Sequence, residues 1–348
     1  MNATRIAVVK SKLPPCCVRV LPQDTSIIVL GTYKLEQNGS RHGSIEVYKQ
    51  EDSINYLLNY PTESAILDLK INPFNANILI SAHSTGEIII WKIDSEDKTK
   101  LTKVQEIQVF DQDPECLATS IVFSPVIENI VSVTGTDGSV KLVDLERGDI
   151  TNFSTKHDFE CWITNFGSQN ALENVIFSGG DDAQLIAHDL REPNTSIFAS
   201  RKLHDAGVVS ILPSTICLHQ SHTSEWKTNN PYELWTGSYD DHIKSIDLRV
   251  LPPNKLIAGY PPRVIDELNL GGGVWRLTPS PLPNDDRVLV NCMYDGARIV
   301  NKDDAKEFEV LKTFTGDHES ICYGGDWIEP SQVITTSFYD GIVQSWVP

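Results

Sequence analysis

"TSFYDGIVQSW", residues Thr336 to Trp346, joins a short β-rich run to a tight Asp-Gly turn and then to an alternating apolar strand ending in tryptophan. The alternation in "GIVQSW" has the two-residue period of a half-buried strand, and the Asp-Gly pair supplies the left-handed backbone that a tight hairpin needs. One such hairpin decides little. The pattern recurs, however, in "GTYKLEQNGSRHGSIEVY" (Gly31 to Tyr48), "SAHSTGEIIIW" (Ser81 to Trp91), "TGTDGSVKLVDL" (Thr134 to Leu145), "SGGDDAQLIAHDLR" (Ser178 to Arg191), "TGSYDDHIKSIDLR" (Thr236 to Arg249) and "NCMYDGARIVN" (Asn291 to Asn301).

Marked by the residue in the turn's glycine slot, the copies fall at Gly43, Gly86, Gly138, Ala183, Asp241, Gly296 and Gly341. Successive markers lie 43, 52, 45, 58, 55 and 45 residues apart. Four short strands with their turns occupy about 40–45 residues in a propeller blade, so the period fits blades, the longer intervals carrying loop insertions. Strict alternation excludes helical solenoids. The copies resemble WD repeats, although only Trp91 and Trp346 keep the terminal tryptophan, with Tyr48, Val143, His188, Ile246 and Asn301 in its place elsewhere. The fold expected is all-β: a seven-bladed WD-repeat propeller forming a single domain over residues 1–348.

The seventh copy ends with its third strand, and "TRIAVVK" (Thr4 to Lys10) can supply the fourth, which closes the ring and removes both sheet edges. Insertions are expected at Cys217 to Pro231, between the inner strands of blade five, and at Val250 to Pro262, after its third strand. Both are polar or proline-rich loops rather than domains.

The chain has 29 basic and 47 acidic residues, for a formal charge of −18. Such a surface is a poor match for a phosphate backbone, so nucleic acid is not an expected partner, whereas a basic protein surface or cationic ligand would be attracted. The stretch "MNATRIAVVKSKLPPCC" lacks the apolar core of a signal peptide, and no later stretch approaches the ~18 apolar residues that span a bilayer. A soluble, cytoplasmic monomer with no membrane partner is expected. Seven scattered cysteines show no metal-ligand spacing, so neither a metal nor an organic cofactor is expected.

GxSxG, HExxH and GxxxxGK[ST] are all absent, so any chemistry must come from residues that converge in space. In a propeller they converge at the mouth of the central channel. The loop before each innermost strand and the Asp turn share one face, which brings Glu160, Trp162, Asp181, Tyr239, Trp275, Arg276, His318, Tyr323 and Tyr339 to one rim. His318, Ser337, Asp340 and Trp346 fit the internal hydrogen-bond set of a WD blade, as do His157 with Ser178 and Asp182, and His204 with Ser238 and Asp240. Glu160, Trp162, Asp181, Trp275, Arg276, Tyr323, Asp326 and Trp327 are not demanded by the repeat and are the functional candidates. "LNLGGGVWRLTPSP" (Leu268 to Pro281) leads three glycines into a strand, the reverse of a phosphate cradle. Gly271, Gly272 and Gly273 are read as widening the mouth so that Trp275 and Arg276 face what enters; a loop needing positive φ is the alternative.

In order from Gly31 to the carboxyl terminus, "GTYKL", "HDFECWI", "SGGDD", "GSYDDHIKSIDLR", "GGGVWRL", "HESICYGGDW" and "SFYDG" resemble the WD-repeat diphthine methylesterases. "GGGVWRL" and "HESICYGGDW" are the discriminating pieces. The resemblance implies removal of the methyl ester from methylated diphthine, a modified histidine of translation elongation factor 2, so that amidation to diphthamide can follow. That substrate carries a trimethylammonium group, which aromatic rings and carboxylates hold, each cation–π contact contributing about 0.5–2 kcal/mol. Glu160, Asp181 or His318 can serve as base and Tyr323 or Arg276 as oxyanion donor. Water, favoured over Cys161 or Cys322, can serve as nucleophile. Trp162, Gly271, Gly272, Gly273, Trp275, Arg276, Trp327 and Tyr339 are expected to contact substrate. The competing reading is a non-catalytic interaction platform.

Overall fold

The computed structural model describes residues 3–110, 115–169, 172–214, 231–249, 262–282, 285–303 and 306–348, so the two expected insertions lie almost wholly outside the described residues. Seven antiparallel sheets follow one another along the chain, as the repeat spacing predicts. Their innermost strands are Pro15–Leu21, Ile66–Ile71, Ala118–Phe123, Cys161–Phe166, Val208–Pro213, Val274–Pro279 and Cys322–Glu329. Each packs on its two neighbours, the seventh on the first, which closes the ring.

Apolar faces on both sides of each sheet make this arrangement obligatory. Seven buried clusters result, one at every blade interface. Leu289, Ile299 and Phe314 of blade six, for example, meet Trp327, Val333 and Trp346 of blade seven. Fully burying one such side chain stabilises the fold by about 1.5–3 kcal/mol, so the interfaces carry the ring.

Six of the seven turn markers adopt positive φ, including the non-glycine residues Ala183 (59°) and Asp241 (69°). Gly43 is the exception. It lies inside strand Arg41–Gln50 because the hairpin of blade one runs longer: Lys34 pairs with His42 and Leu35 with Arg41, and the turn sits at Gly39.

Buried histidines pin the turns. His157 bonds Asp182 at 2.8 Å and Ser178 at 2.9 Å, as the repeat suggests. His204 bonds Asp240 at 2.9 Å but takes Thr236, at 2.8 Å, rather than Ser238, whose hydroxyl donates instead to the carbonyl of Ala206. Burial pushes His83 and His318 down to about 4 and His188 down to about 3, from an ordinary 6.5. The unfolded chain takes up these protons first as pH falls, so stability present above 6.5 is lost toward pH 4. A thermal melt followed across that window should show a falling midpoint; a flat midpoint would refute the assignment.

Thr4–Lys10 completes blade seven, pairing antiparallel with Ile342–Val347 from Thr4 opposite Val347 to Lys10 opposite Ile342. The entry into blade one is then clamped by Glu46, a fully buried carboxylate that accepts the backbone N–H groups of Lys12 and Leu13 and the hydroxyl of Tyr48. Deleting residues 1–10 should expose the edge of Ile342–Val347 and lower the melting temperature. Light scattering should record self-association that the full chain does not show.

Candidate active site at the propeller mouth

In every blade the pairing between the first two strands slips at the same place, passing over Cys16, Leu67, Thr119, Trp162, Val209, Trp275 and Tyr323. Such a bulge sets two residues against one and re-aims the extra side chain. Four of the seven, Trp162, Val209, Trp275 and Tyr323, meet Tyr239, Met293 and Ile321 in an eighth apolar cluster. This cluster belongs to no single blade interface. It draws together blades four, five, six and seven.

Trp275 is its centre and is 5% exposed. Tyr323 stacks on it at 4.8 Å, Tyr239 lies nearly parallel at 6.1 Å, and Trp162 meets it edge-on at 5.9 Å. The Arg276 guanidinium sits 4.5 Å over the same indole. Trp275 thus supports the wall from behind instead of facing an entering group as expected. The half-buried surfaces that remain belong to Trp162, Tyr239 and Tyr323. The Trp275 indole N–H is buried without an acceptor among the described residues.

On the Trp162 side, the indole N–H donates to Asp181 at 2.6 Å, and the Asp181 N–H donates to the Glu160 carbonyl at 2.9 Å. Partial burial, together with the nearby charges of Glu160 and Asp182, raises the Asp181 carboxyl above its usual range. Two carboxylates and an indole therefore share one corner of the mouth. On the Tyr323 side, burial pushes the phenol well above its ordinary value, so its hydroxyl remains a proton donor.

Deeper in the channel, Asp68 is fully buried and accepts the Lys70 ammonium at 2.8 Å and the N–H of Ile121, on the neighbouring blade, at 3.2 Å. Asp326 does the same job between blades seven and one by accepting the N–H of Val20 at 2.9 Å. These carboxylates join blades. Arg276 differs, since its guanidinium has no ion pair among the described residues and only a long 3.4 Å bond to the carbonyl of Trp275.

Glu160, Asp181, Trp162, Trp275, Arg276 and Tyr323 are thus brought together, and Tyr339 stands on the rim, 75% exposed. Trp327 is not with them. It is buried between blades six and seven, its indole donating to the carbonyl of Thr278 at 3.0 Å. His318 is also turned inward: Ser337 holds one ring nitrogen at 2.9 Å and Thr335 the other at 2.8 Å, leaving neither for a proton transfer. Cys161 and Cys322 are fully buried, and burial pushes the Cys322 thiol up to about 12. The sequence reading overlooked Cys16, which shares the bulge position with Tyr323 and is half-buried. Aligning the copies on their innermost strands rather than on their turns would have found it.

The three glycines need a different account as well. Gly271, Gly272 and Gly273 have φ of 73°, 73° and 81°, and their missing side chains face the turn of blade six, not the opening. A Cβ on Gly272 would meet the Asp295 nitrogen at 2.6 Å and the Cys292 carbonyl oxygen at 2.8 Å. The loop is wedged between turns: Tyr294 N–H donates to the Gly272 carbonyl at 3.0 Å, and Gly273 N–H to Asp241 at 2.6 Å. That wedge fixes where Trp275 begins.

No protein-family model matches the chain. It is 34% identical to a protein of Saccharomyces cerevisiae named "Diphthine methyltransferase", the alignment covering 97% of each chain. The chain belongs to the diphthine methyltransferase family. A Schizosaccharomyces pombe relative of the same name is 33% identical over 92% of this chain and 90% of its own. A Homo sapiens relative, also named diphthine methyltransferase, is 27% identical over 85% of this chain and 60% of its own. Among solved structures, a chain from the "Crystal Structure of Mitotic Checkpoint Complex" superposes with a TM-score of 0.70 at 13% identity, covering 100% of this chain and 92% of that one, a likeness of fold alone.

For this diphthine methyltransferase family member, Gly272→Val should combine a steric clash with a strained positive φ. The expected cost is about 1–3 kcal/mol or more of stability. Thermal melting should register the loss in parallel with any loss of activity. A variant that melts like the parent would restore the reading in which the glycines merely open the mouth.

Proposed function

We propose that this chain is a carboxylic ester hydrolase that removes the methyl ester from methylated diphthine on translation elongation factor 2. The observation that carries the reading is the corner in which the Trp162 indole is bonded to Asp181 beside Glu160, while Arg276, which has no ion pair among the described residues, lies over the adjoining Trp275. A trimethylammonium group fits against the half-buried aromatic faces, with Glu160 supplying the opposing charge. The relatives' name describes methyl transfer; we read the acceptor as water. The glycine loop is filled by the Tyr294–Asp295 turn and so does not cradle a nucleotide-like donor.

Water is the nucleophile, because Cys161 and Cys322 are fully buried and burial pushes the Cys16 thiol up to about 12. Asp181 takes a proton from water as the oxygen adds to the ester carbonyl. The Tyr323 hydroxyl or the Arg276 guanidinium donates to the oxyanion that forms. Collapse expels methoxide, which recovers the proton from Asp181 and leaves as methanol.

Incubation with elongation factor carrying the methyl ester should give a product lighter by one methyl group, read by mass spectrometry. Asp181→Asn should lower kcat by about 10²–10⁴-fold, the usual worth of a general base. The kcat/KM profile should have an acidic limb above the ordinary carboxylate range, since Asp181 must be ionised to act. Glu160 is one of the charges that raises Asp181, so Glu160→Gln should stabilise the Asp181 carboxylate and move that limb to lower pH. A limb that stays in place in Glu160→Gln would separate the two carboxylates and overturn the assignment of the base. Tight binding without loss of methyl would make the chain a recruiting platform.

A further inference from the structure

The three most exposed large hydrophobic side chains among the described residues are Tyr294 and Tyr339, each 75% exposed, and Phe159, 62% exposed. All three are aromatic, and all stand on the face of the mouth. Phe159 lies in the loop entering Cys161–Phe166, while Tyr294 and Tyr339 occupy the turns between the second and third strands of blades six and seven. Most other exposed apolar residues, such as Ile6, Tyr56, Val104, Ile265 and Val310, fall on outermost strands at the circumference.

Tyr339 meets only Phe338, edge-on at 5.0 Å, among the described rings. None of the three joins the apolar clusters between blades or the cluster under the mouth. Exposed aromatic side chains around the mouth have the composition of an interface core, where Tyr, Trp and Phe carry most of the binding energy. The surrounding charge selects the partner. Glu160, Asp181, Asp205 and Glu319 on this face have no ion pair among the described residues, and the whole chain carries −18. Phosphate-bearing surfaces are repelled, whereas lysines and arginines are drawn in.

We propose that Phe159, Tyr294 and Tyr339 form a docking ring for a positively charged surface of a folded protein, which seats the protein-borne side chain in the mouth. The inference rests on the reading of the mouth as the site of ester hydrolysis. It adds that the ring recognises the protein around the modified residue, not the modification itself.

The test compares the full chain with a Phe159→Ser/Tyr294→Ser double variant on two substrates, the intact elongation factor and a short peptide carrying the same methyl ester. For the intact factor, KM should rise about tenfold or more in the double variant, as for loss of interface anchors, with kcat unchanged. Kinetics on the peptide should be the same for both proteins. Their melting temperatures should coincide, because both rings stand in solvent. Added salt should weaken capture of the intact factor by the parent chain. An unchanged KM for the intact factor, or an equal loss on the peptide, overturns the docking ring. Calorimetric binding of the intact factor to both proteins decides the case even if neither substrate loses a methyl group: weaker binding by the variant supports the ring while the hydrolase reading fails. Binding of RNA or anionic vesicles in preference to the factor would overturn the proposed partner.

Discussion

Strict alternation would send Trp275 and Arg276 to opposite faces of their sheet, yet the guanidinium lies over the indole at the same mouth. The bulge at the start of the innermost strand makes that possible, and it is repeated in all seven blades. It gives each blade one re-aimed position at the same place in its innermost strand. Blades one, two and three hold non-aromatic side chains there, Cys16, Leu67 and Thr119. Blades four, six and seven fill theirs with Trp162, Trp275 and Tyr323, which makes one side of the opening aromatic. The asymmetry of the site is therefore written at one position per repeat, on a scaffold that is otherwise nearly symmetric.

Beneath that layer, buried carboxylates hold the walls in register. Asp68 bonds a neighbouring strand while neutralising Lys70, and Asp326 bonds the first blade from the seventh. Their charges are spent on the scaffold. Glu160, Asp181 and Arg276 are left without such partners, and these are groups to which the proposed hydrolysis gives a role. Sorting channel residues by whether the fold already satisfies them separates the candidate groups from the structural ones more sharply than residue type does.

The number of blades, the closing strand and most of the turns were legible in the sequence, because hairpin chemistry and period-two alternation are local properties. The rim as a whole was legible too, since it follows from which loops share a face. Individual side chains were harder to place. In "HESICYGGDW", Tyr323 reaches the mouth while Trp327 turns into the interface with blade six, and the bulge at Tyr323 itself, with the register unbroken from Gly324 to Trp327, decides which is which. His318 carries the residue type of a catalytic base and the bonding of a turn clamp. Gly271 to Gly273 were visible as an anomaly, but what crowds them is the turn at Asp295, which the sequence places far along the chain. Long-range packing was the missing information in each case.

Ring closure has a consequence for how the molecule is made. Thr4 pairs with Val347, so the first strand of the ring to be synthesised must wait for the last strand of the ring before it has a partner. Until then the nascent chain is an open arc with an unpaired edge at each end, and the contact that seals it spans almost the whole sequence. The Glu46 clamp on Lys12 and Leu13 can form as soon as blade one has been synthesised, tethering the waiting strand beside its future position. Early anchoring of this kind shortens the search for the final partner and limits the time during which a free edge can recruit another chain.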